Sequence, residues 1–427
     1  MFEKFHYSDA IEIEKTYTDI WDFATSVVLD EYSYMTDSII TPIYATTKNM
    51  DSTPAFPKYL YYDSEAEYIA ENGWSEYIEI WNATERRRPL WWVFLKNETL
   101  KIKKIEENDI RMIMCTDPVF TRFGAAFEEH QNNLMKQHTE THQAQVGWTP
   151  FYGGLNQRIT RLKTKGDYYV EMDWTRFDGT IPVEVFQHIK DIRFFFLAEK
   201  YKTKENKLRY DWYVSNLINK VCLLPTGEVT LVQKGNPSGQ ISTTTDNNMV
   251  NTFLTAFEIG YMHKIQKGRV PTLGEYRENC DSICYGDDRL LAFSRKWLNY
   301  DVKIIPEMYK EVFGMWVKPE NIKISNTPNG LSFCGMTLVE TPGGYMGIPN
   351  VNKILSTLEN PTKKLPDVQS LWGKLLSLRI LCEFAPQDVK DFLDRQIYKV
   401  EDFCLHENIA LPEVPQSFFS RIWGGPN

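Results

Sequence analysis

Residues 166–180 read GDYYVEMDWTRFDGT, and the way this stretch folds decides the rest. The β-rich run Tyr168 to Trp174 predicts a strand entering a core, followed by a turn at Asp178 and Gly179. Pro182 then suits a helix start, and Val185, Ile189, Ile192 and Phe196 recur at spacings of 4, 3 and 4, one apolar stripe of an α-helix laid against a sheet. Strand followed by helix puts Asp173 at a strand end. A carboxylate there is costly to bury without a partner.

Further along, CLLPTGEVTLVQKG (222–235) predicts two short strands around Pro225, Thr226 and Gly227 that lead into the loop GNPSGQ (235–240). A helix follows, with Val250, Phe253, Leu254, Phe257 and Tyr261 on its buried face and Ser242 to Thr245 before it as capping-type residues. NCDSICYGDDRLLAF (279–293) shows two apolar runs separated by Gly286, Asp287 and Asp288, a hairpin whose tip carries two carboxylates. Beyond residue 345 the texture turns helical, with Val368, Leu371, Leu375, Leu378 and Cys382 on one face.

Two like charges as close as Asp287 and Asp288 are unfavourable unless cations or basic groups neutralise them, although a Gly-Asp turn is also an ordinary solvated hairpin tip. A strand beside the hairpin would bring Asp173 to the same place. Oxygen donors with no His or Cys nearby point to Mg²⁺ or Mn²⁺ rather than zinc. Paired hard cations roughly 3.5 to 4 Å apart suit in-line displacement at phosphorus, so the reaction class is phosphoryl transfer.

The 427 residues exceed one compact domain and suit two or three lobes, and hydrophobic residues at 42% exclude disorder. No stretch reaches the roughly 18 apolar residues of a bilayer span, and the opening MFEKFHYSDAIEIEK has no leader character. Seven scattered cysteines are expected to be free thiols. The formal charge, 48 − 57 = −9, repels polyanions globally, so nucleic acid must bind where positive charge is concentrated. Three clusters qualify: Arg86 to Arg88; Lys96, Lys101, Lys103 and Lys104; and Arg158, Arg161, Lys163 and Lys165. Each by itself reads as a solvated face. His130, His138 and His142 around Glu140 lack the HExxH order and read as a polar helix face.

In order, DWTRFD, GNPSGQISTTTDNN and YGDD resemble motifs A, B and C of viral RNA-dependent RNA polymerases, and are most similar to the astrovirus polymerase within the picornavirus and calicivirus-like group. The resemblance implies an α+β right-hand polymerase with an antiparallel palm sheet backed by helices. The expected division is fingers 1–165 and 195–232, palm 166–194 and 233–345, and a helical thumb 346–427. It also implies template-directed RNA synthesis, replicating and transcribing a positive-strand viral genome, with Asp173, Asp287 and Asp288 as catalytic metal ligands. Asp178, Ser238, Thr243 and Asn247 fall on the positions that sense the ribose hydroxyls of an NTP. A 2′-OH both donates and accepts, which suits a carboxylate and an amide.

LKNETLKIKKIEENDIRMI resembles motif F, with Lys96, Lys104 and Arg111 on the triphosphate-gripping positions, although Asp109 stands where relatives often carry lysine. STPAFP, with Ser52 and Thr53, resembles the template-lining motif G, in the loop 46–59. Gly235, Pro237 and Gly239 would let the loop backbone approach RNA. Lys323, with Lys318 second, resembles the motif D general acid, and FCGMTL, opened by Phe333, resembles the primer-gripping motif E. The implied cofactor is Mg²⁺, with Mn²⁺ as substitute. Implied partners are RNA template and primer, NTPs and a viral genome-linked protein as primer; the implied location is host cytoplasm, in replication complexes at host membranes. The competing readings are a reverse transcriptase, which typically carries an aromatic where Asp178 stands, and a non-catalytic RNA-binding scaffold.

Overall fold

The run RLLAF after the acidic pair shows no polar alternation because both faces of its strand are covered. Strand Asp288–Phe293 lies between Tyr168–Glu171 and Cys280–Tyr285 in an antiparallel sheet whose outer edge is Lys323–Ser325. On one face Val170, Leu291 and Phe293 join the largest apolar core; on the other Tyr169, Ile283, Leu290 and Ala292 join a second. The computed structural model describes residues 12–424, so most of the opening stretch read for a leader lies outside the described residues. Among the described residues no helix is long and apolar enough to cross a membrane.

Helices Val183–Phe196 and Thr243–Lys267 cover the first face. The stripe Val185, Ile189, Ile192 and Phe196 is buried as its spacing predicts; so are Val250, Phe253, Leu254 and Phe257, with Tyr261 at the margin. A second sheet runs Met112–Cys115, Leu90–Leu95, Lys220–Leu223, Val229–Val232, with the expected hairpin at its far edge and a parallel pair in the middle. A third comprises Ser332–Phe333, Met336–Thr341 and Gly344–Pro349. Helices Val351–Glu359, Val368–Leu381 and Gln387–His406 form the last cluster around Leu375, Leu378, Cys382 and Leu393. Strand Gly344–Pro349 crosses the boundary expected at 345/346. The chain end turns back: the N–H groups of Tyr152 and Gly153 donate to the carbonyls of Ile422 and Trp423 at 2.7 and 2.9 Å. All seven cysteines are free.

Several local expectations change. Asp178 and Gly179 lie in the short helix Phe177–Thr180 rather than in a turn, held by Thr180 Oγ1, which donates to the Arg176 carbonyl at 3.0 Å. Ser242 precedes the helix Thr243–Lys267 but does not cap it, because its hydroxyl donates to Glu128 Oε1 at 2.8 Å; Thr243 to Thr245 are already helical. Three arginines expected on solvated faces serve as internal braces. Arg86 donates to the carbonyls of Ile80 and Trp81, Arg158 to Gln145 and Thr139, and Arg161 pairs with Asp281 at 3.1 Å. The helix Pro118–Gln137 ends before His138, so the histidines share no helix face: His138 stacks on Tyr34 at 4.4 Å, with His142 edge-on to the same ring.

Candidate active site

The acidic tip is narrower than the sequence suggests. Tyr285 pairs with Asp288, leaving Gly286 and Asp287 as the two turn residues, and Gly286 adopts φ +60°, the first-position glycine that a type II′ hairpin demands. Asn251, one helix away, donates to the carbonyls of Gly286 and Asp288 at 2.9 and 3.2 Å and fixes the turn from behind. Glu171 pairs with Leu290; extending that antiparallel register by two residues sets Asp173 level with Asp288. Two distant segments thus deliver their carboxylates to one spot.

The electrostatics confirm the convergence. Burial, then the charges of Asp178, Asp173 and Asp288, push the Asp287 carboxyl up to about 7. Burial, then Glu171 and Asp173, push Asp288 up to about 6, against the opposing pull of the Cys334 N–H, which donates to Asp288 Oδ2 at 2.6 Å. Asp173 is raised by burial and Glu171, with Lys104 opposing. Lys104 opposes the rise at Asp173, and Arg111 feels Asp178 and Asp287, yet both hairpin carboxyls stay raised. An all-oxygen donor set of this kind fits a hard divalent cation. Among the described residues no group of three or more His, Cys, Asp or Glu side chains stands close enough together to hold a metal ion by itself. Substrate phosphate and water oxygens would complete the coordination, as is usual for Mg²⁺.

Beside the acids, Asn247 Nδ2 donates to Asp178 Oδ1 at 2.7 Å, and Asn236 Nδ2 donates to Asn247 Oδ1 at 2.9 Å. The remaining residues expected to sense ribose turn elsewhere. Thr243 Oγ1 donates to the Pro237 carbonyl at 2.8 Å, and Ser238 Oγ bridges the Met112 carbonyl and the Met114 N–H. Gly235 and Gly239 each allow a close approach to protein backbone. A Cβ on Gly235 would lie 2.6 Å from the Asp178 carbonyl oxygen, and one on Gly239 would lie 2.0 Å from that of Met114.

The basic residues lie in the connection between strands Leu90–Leu95 and Met112–Cys115, with Lys104 in the short helix Ile102–Glu106. Arg111 Nε donates to Glu98 Oε1 at 2.6 Å in a two-pronged pair, and it also feels Asp178 and Asp287. Its guanidinium fork is therefore occupied by Glu98, which a triphosphate would have to displace. Lys96 lies 3.7 Å from the same glutamate, and Lys104 lies 3.9 Å from Asp109, the residue standing where a lysine was expected. Lys323 is exposed, directly opposite Glu171 and on its face of the sheet; Lys318 lies over the Trp316 ring. Ser52 and Thr53 are exposed in the loop before Lys58–Leu60. Phe333 corrects the primer-contact expectation: it is buried in the second core against Trp148, and the next two residues, the half-buried Cys334 and the exposed Gly335, form the end of the hairpin.

Residues 44–397 match the family model described as viral RNA-dependent RNA polymerase. The chain belongs to that family. It is 59% identical to the non-structural polyprotein 1AB of Turkey astrovirus 2 and 53% identical to that of Avian nephritis virus 1, each over 99% of its length. Identity to the same polyprotein of Human astrovirus-1 is 41% over 100% of the chain. It spans 26%, 28% and 29% of those polyproteins, so the matched relatives are more than three times as long. The solved Sicinivirus 3Dpol RNA dependent RNA polymerase superposes with a TM-score of 0.72 at 15% identity, covering 98% of this chain and 86% of that one. The fold is accordingly the right hand.

Sequence reasoning missed four residues of this polymerase site: Glu171, Cys334, Asn236 and Glu98. All four lie inside the stretches that carry the motifs, and Asn236, an amide within GNPSGQISTTTDNN, has the side chain whose hydrogen-bonding capacity signals a role there. Cys334 enters through a turn with positive φ at both central residues (51° and 72°), a backbone geometry that no side-chain pattern announces.

The raised carboxyls make a pH-dependent prediction. A carboxyl raised in the fold contributes stability below its unfolded value near 4, and that stability is lost as pH rises through about 7 for Asp287 and about 6 for Asp288. A divalent cation binds the ionised forms. Thermal melts with and without Mg²⁺ are therefore expected to show a larger cation-induced rise in Tm at pH 8 than at pH 6; an equal or reversed rise would contradict the site.

Proposed function

We propose that this chain is the template-directed RNA polymerase of a positive-strand RNA virus and that it both replicates and transcribes the genome. In the reaction the 3′-hydroxyl oxygen of the growing RNA attacks the α-phosphorus of an NTP. The bond to the β-phosphate bridging oxygen breaks, and pyrophosphate leaves. Two Mg²⁺ ions, or Mn²⁺ in their place, held by Asp173, Asp287 and Asp288 would acidify the 3′-hydroxyl and neutralise the leaving group.

The protein's own residues supply the rest. Asp178 and Asn247 receive the ribose, Arg111, Lys96 and Lys104 receive the triphosphate, and Lys323 supplies the proton that pyrophosphate takes up. The hairpin tip at Cys334 and Gly335 faces the primer, and the loop at Ser52 and Thr53 lines the template. The division into fingers 1–165 and 195–232, palm 166–194 and 233–345, and thumb 346–427 goes with this reading. So do a genome-linked protein as primer and replication complexes at host membranes.

One observation carries the proposal: the carboxylates suited to cations and the Asp178–Asn247 pair suited to a ribose converge from three separate segments. The test is extension of a primed homopolymeric RNA with each nucleotide in turn. Expected are incorporation of the complementary NTP alone, release of pyrophosphate, and arrest by a chelator. Preferential use of dNTPs would make the chain a reverse transcriptase. Salt-dependent RNA binding without pyrophosphate release would make it a scaffold.

A further inference from the structure

Lys220 is fully buried at 0% exposure, yet none of its bonds goes to an acid. Its Nζ lies within hydrogen-bond distance of four main-chain carbonyls, which share its three N–H donors: Leu217 at 2.9 Å, Ile218 at 3.1 Å, Lys234 at 3.2 Å and Gly235 at 3.3 Å. The first two end the helix Lys204–Ile218, where carbonyls lack intrahelical partners and the helix dipole is negative. The other two belong to the loop directly before Asn236. Burial holds the amine down at about 7, with Cys222 opposing. An ammonium buried without a counter-ion is expensive, and a methionine of similar length would fill the same space at less cost. Its donors are the property that a hydrocarbon lacks.

The loop that Lys220 holds is the one that builds the ribose site. Gly235 takes φ +86° and packs its α-carbon against the Asp178–Gly179 backbone. The next N–H, from Asn236, donates to the Asp178 carbonyl at 2.6 Å, and the Asn236 side chain then donates to Asn247, which in turn donates to the Asp178 carboxylate. Three consecutive residues are pinned, two by their carbonyls and the third by its N–H. We infer that Lys220 is a positioning residue for ribose recognition: by fixing the peptides at 234 and 235 it sets the rotation of Asn236, and through it the aim of Asn247 and Asp178 at a 2′-hydroxyl. This rests on the polymerase reading above and adds a specificity element that touches no substrate.

The experiment measures single-nucleotide incorporation of matched NTP and 2′-dNTP by the full chain, its Lys220→Met variant and its Lys220→Gln variant, with thermal melts of each. For Lys220→Met, preference for NTP is expected to fall about tenfold, the worth of roughly one misaligned hydrogen bond, through a higher KM for NTP with kcat within about threefold of the parent. Lys220→Gln keeps two donors and is expected to recover part of the preference. A parental preference in either folded variant, or failure of both to fold, overturns the inference, since the lysine would then serve stability alone. A parent chain that incorporates no nucleotide refutes the polymerase reading instead, so the two failures are distinguishable.

Discussion

Asp287→Asn is expected to lower kcat for nucleotide addition at least about 10³-fold, roughly 4 kcal/mol of transition-state stabilisation, while leaving the metal-free protein as stable as the parent or more so. The two halves have one cause. Asp287 is held in a hairpin turn beside Asp178, Asp173 and Asp288, and its ionised form is disfavoured by all of them. An amide of the same shape removes that repulsion and keeps the hairpin, whose turn is set by Gly286 and by Asn251 from behind. It also removes the negative oxygen that a cation requires. A structural acid behaves oppositely, because its removal costs stability and spares turnover. Primer extension and thermal melts of the same preparation separate the cases; near-parental kcat with an intact fold would end the catalytic assignment.

The placements that the sequence made legible share one property: they follow from local pattern. Asp173, Asp287 and Asp288 sit at ends of apolar runs, and the runs predict strands whose ends meet. The palm sheet and its two backing helices follow the same periodicities. What escaped depends on register or on side-chain reach. Glu171 matters because antiparallel pairing puts it near Asp288, and Glu98 because the connection between strands Leu90–Leu95 and Met112–Cys115 turns it onto Arg111. Long cationic side chains were the commonest misreading. Arg86, Arg158 and Arg161 look like solvent-facing charge in one dimension, but carbonyls, amides and a carboxylate from other segments surround them. Phe333 failed differently, because a hairpin can present its backbone to a ligand while its aromatic side chain serves the core.

The same blindness hid a buried charge network. Lys190 and Arg193 sit one turn apart on the helix that follows Asp173, and nothing in the sequence shows that both are wholly buried. Lys190 Nζ lies 2.8 Å from Glu128 and 2.6 Å from Asp246, and Arg193 Nε lies 2.7 Å from Asp246, a charge-balanced set of two acids and two bases. Asp246→Ala leaves one positive charge uncompensated in the core and is expected to cost about 3–5 kcal/mol, read as a lower urea midpoint at unchanged m-value. Adding Lys190→Met restores neutrality, so the double variant is expected to lose about 1–3 kcal/mol less than the two single losses combined. Simple additivity would mean that the four groups do not act as a unit. The position also couples fold to chemistry. Asp246 accepts from Gln240, which donates to Asn236, the amide that orients the Asn247–Asp178 pair. Because the double variant keeps the core neutral but not this link, its preference for NTP over 2′-dNTP is expected to stay below the parent's even where its stability has largely returned.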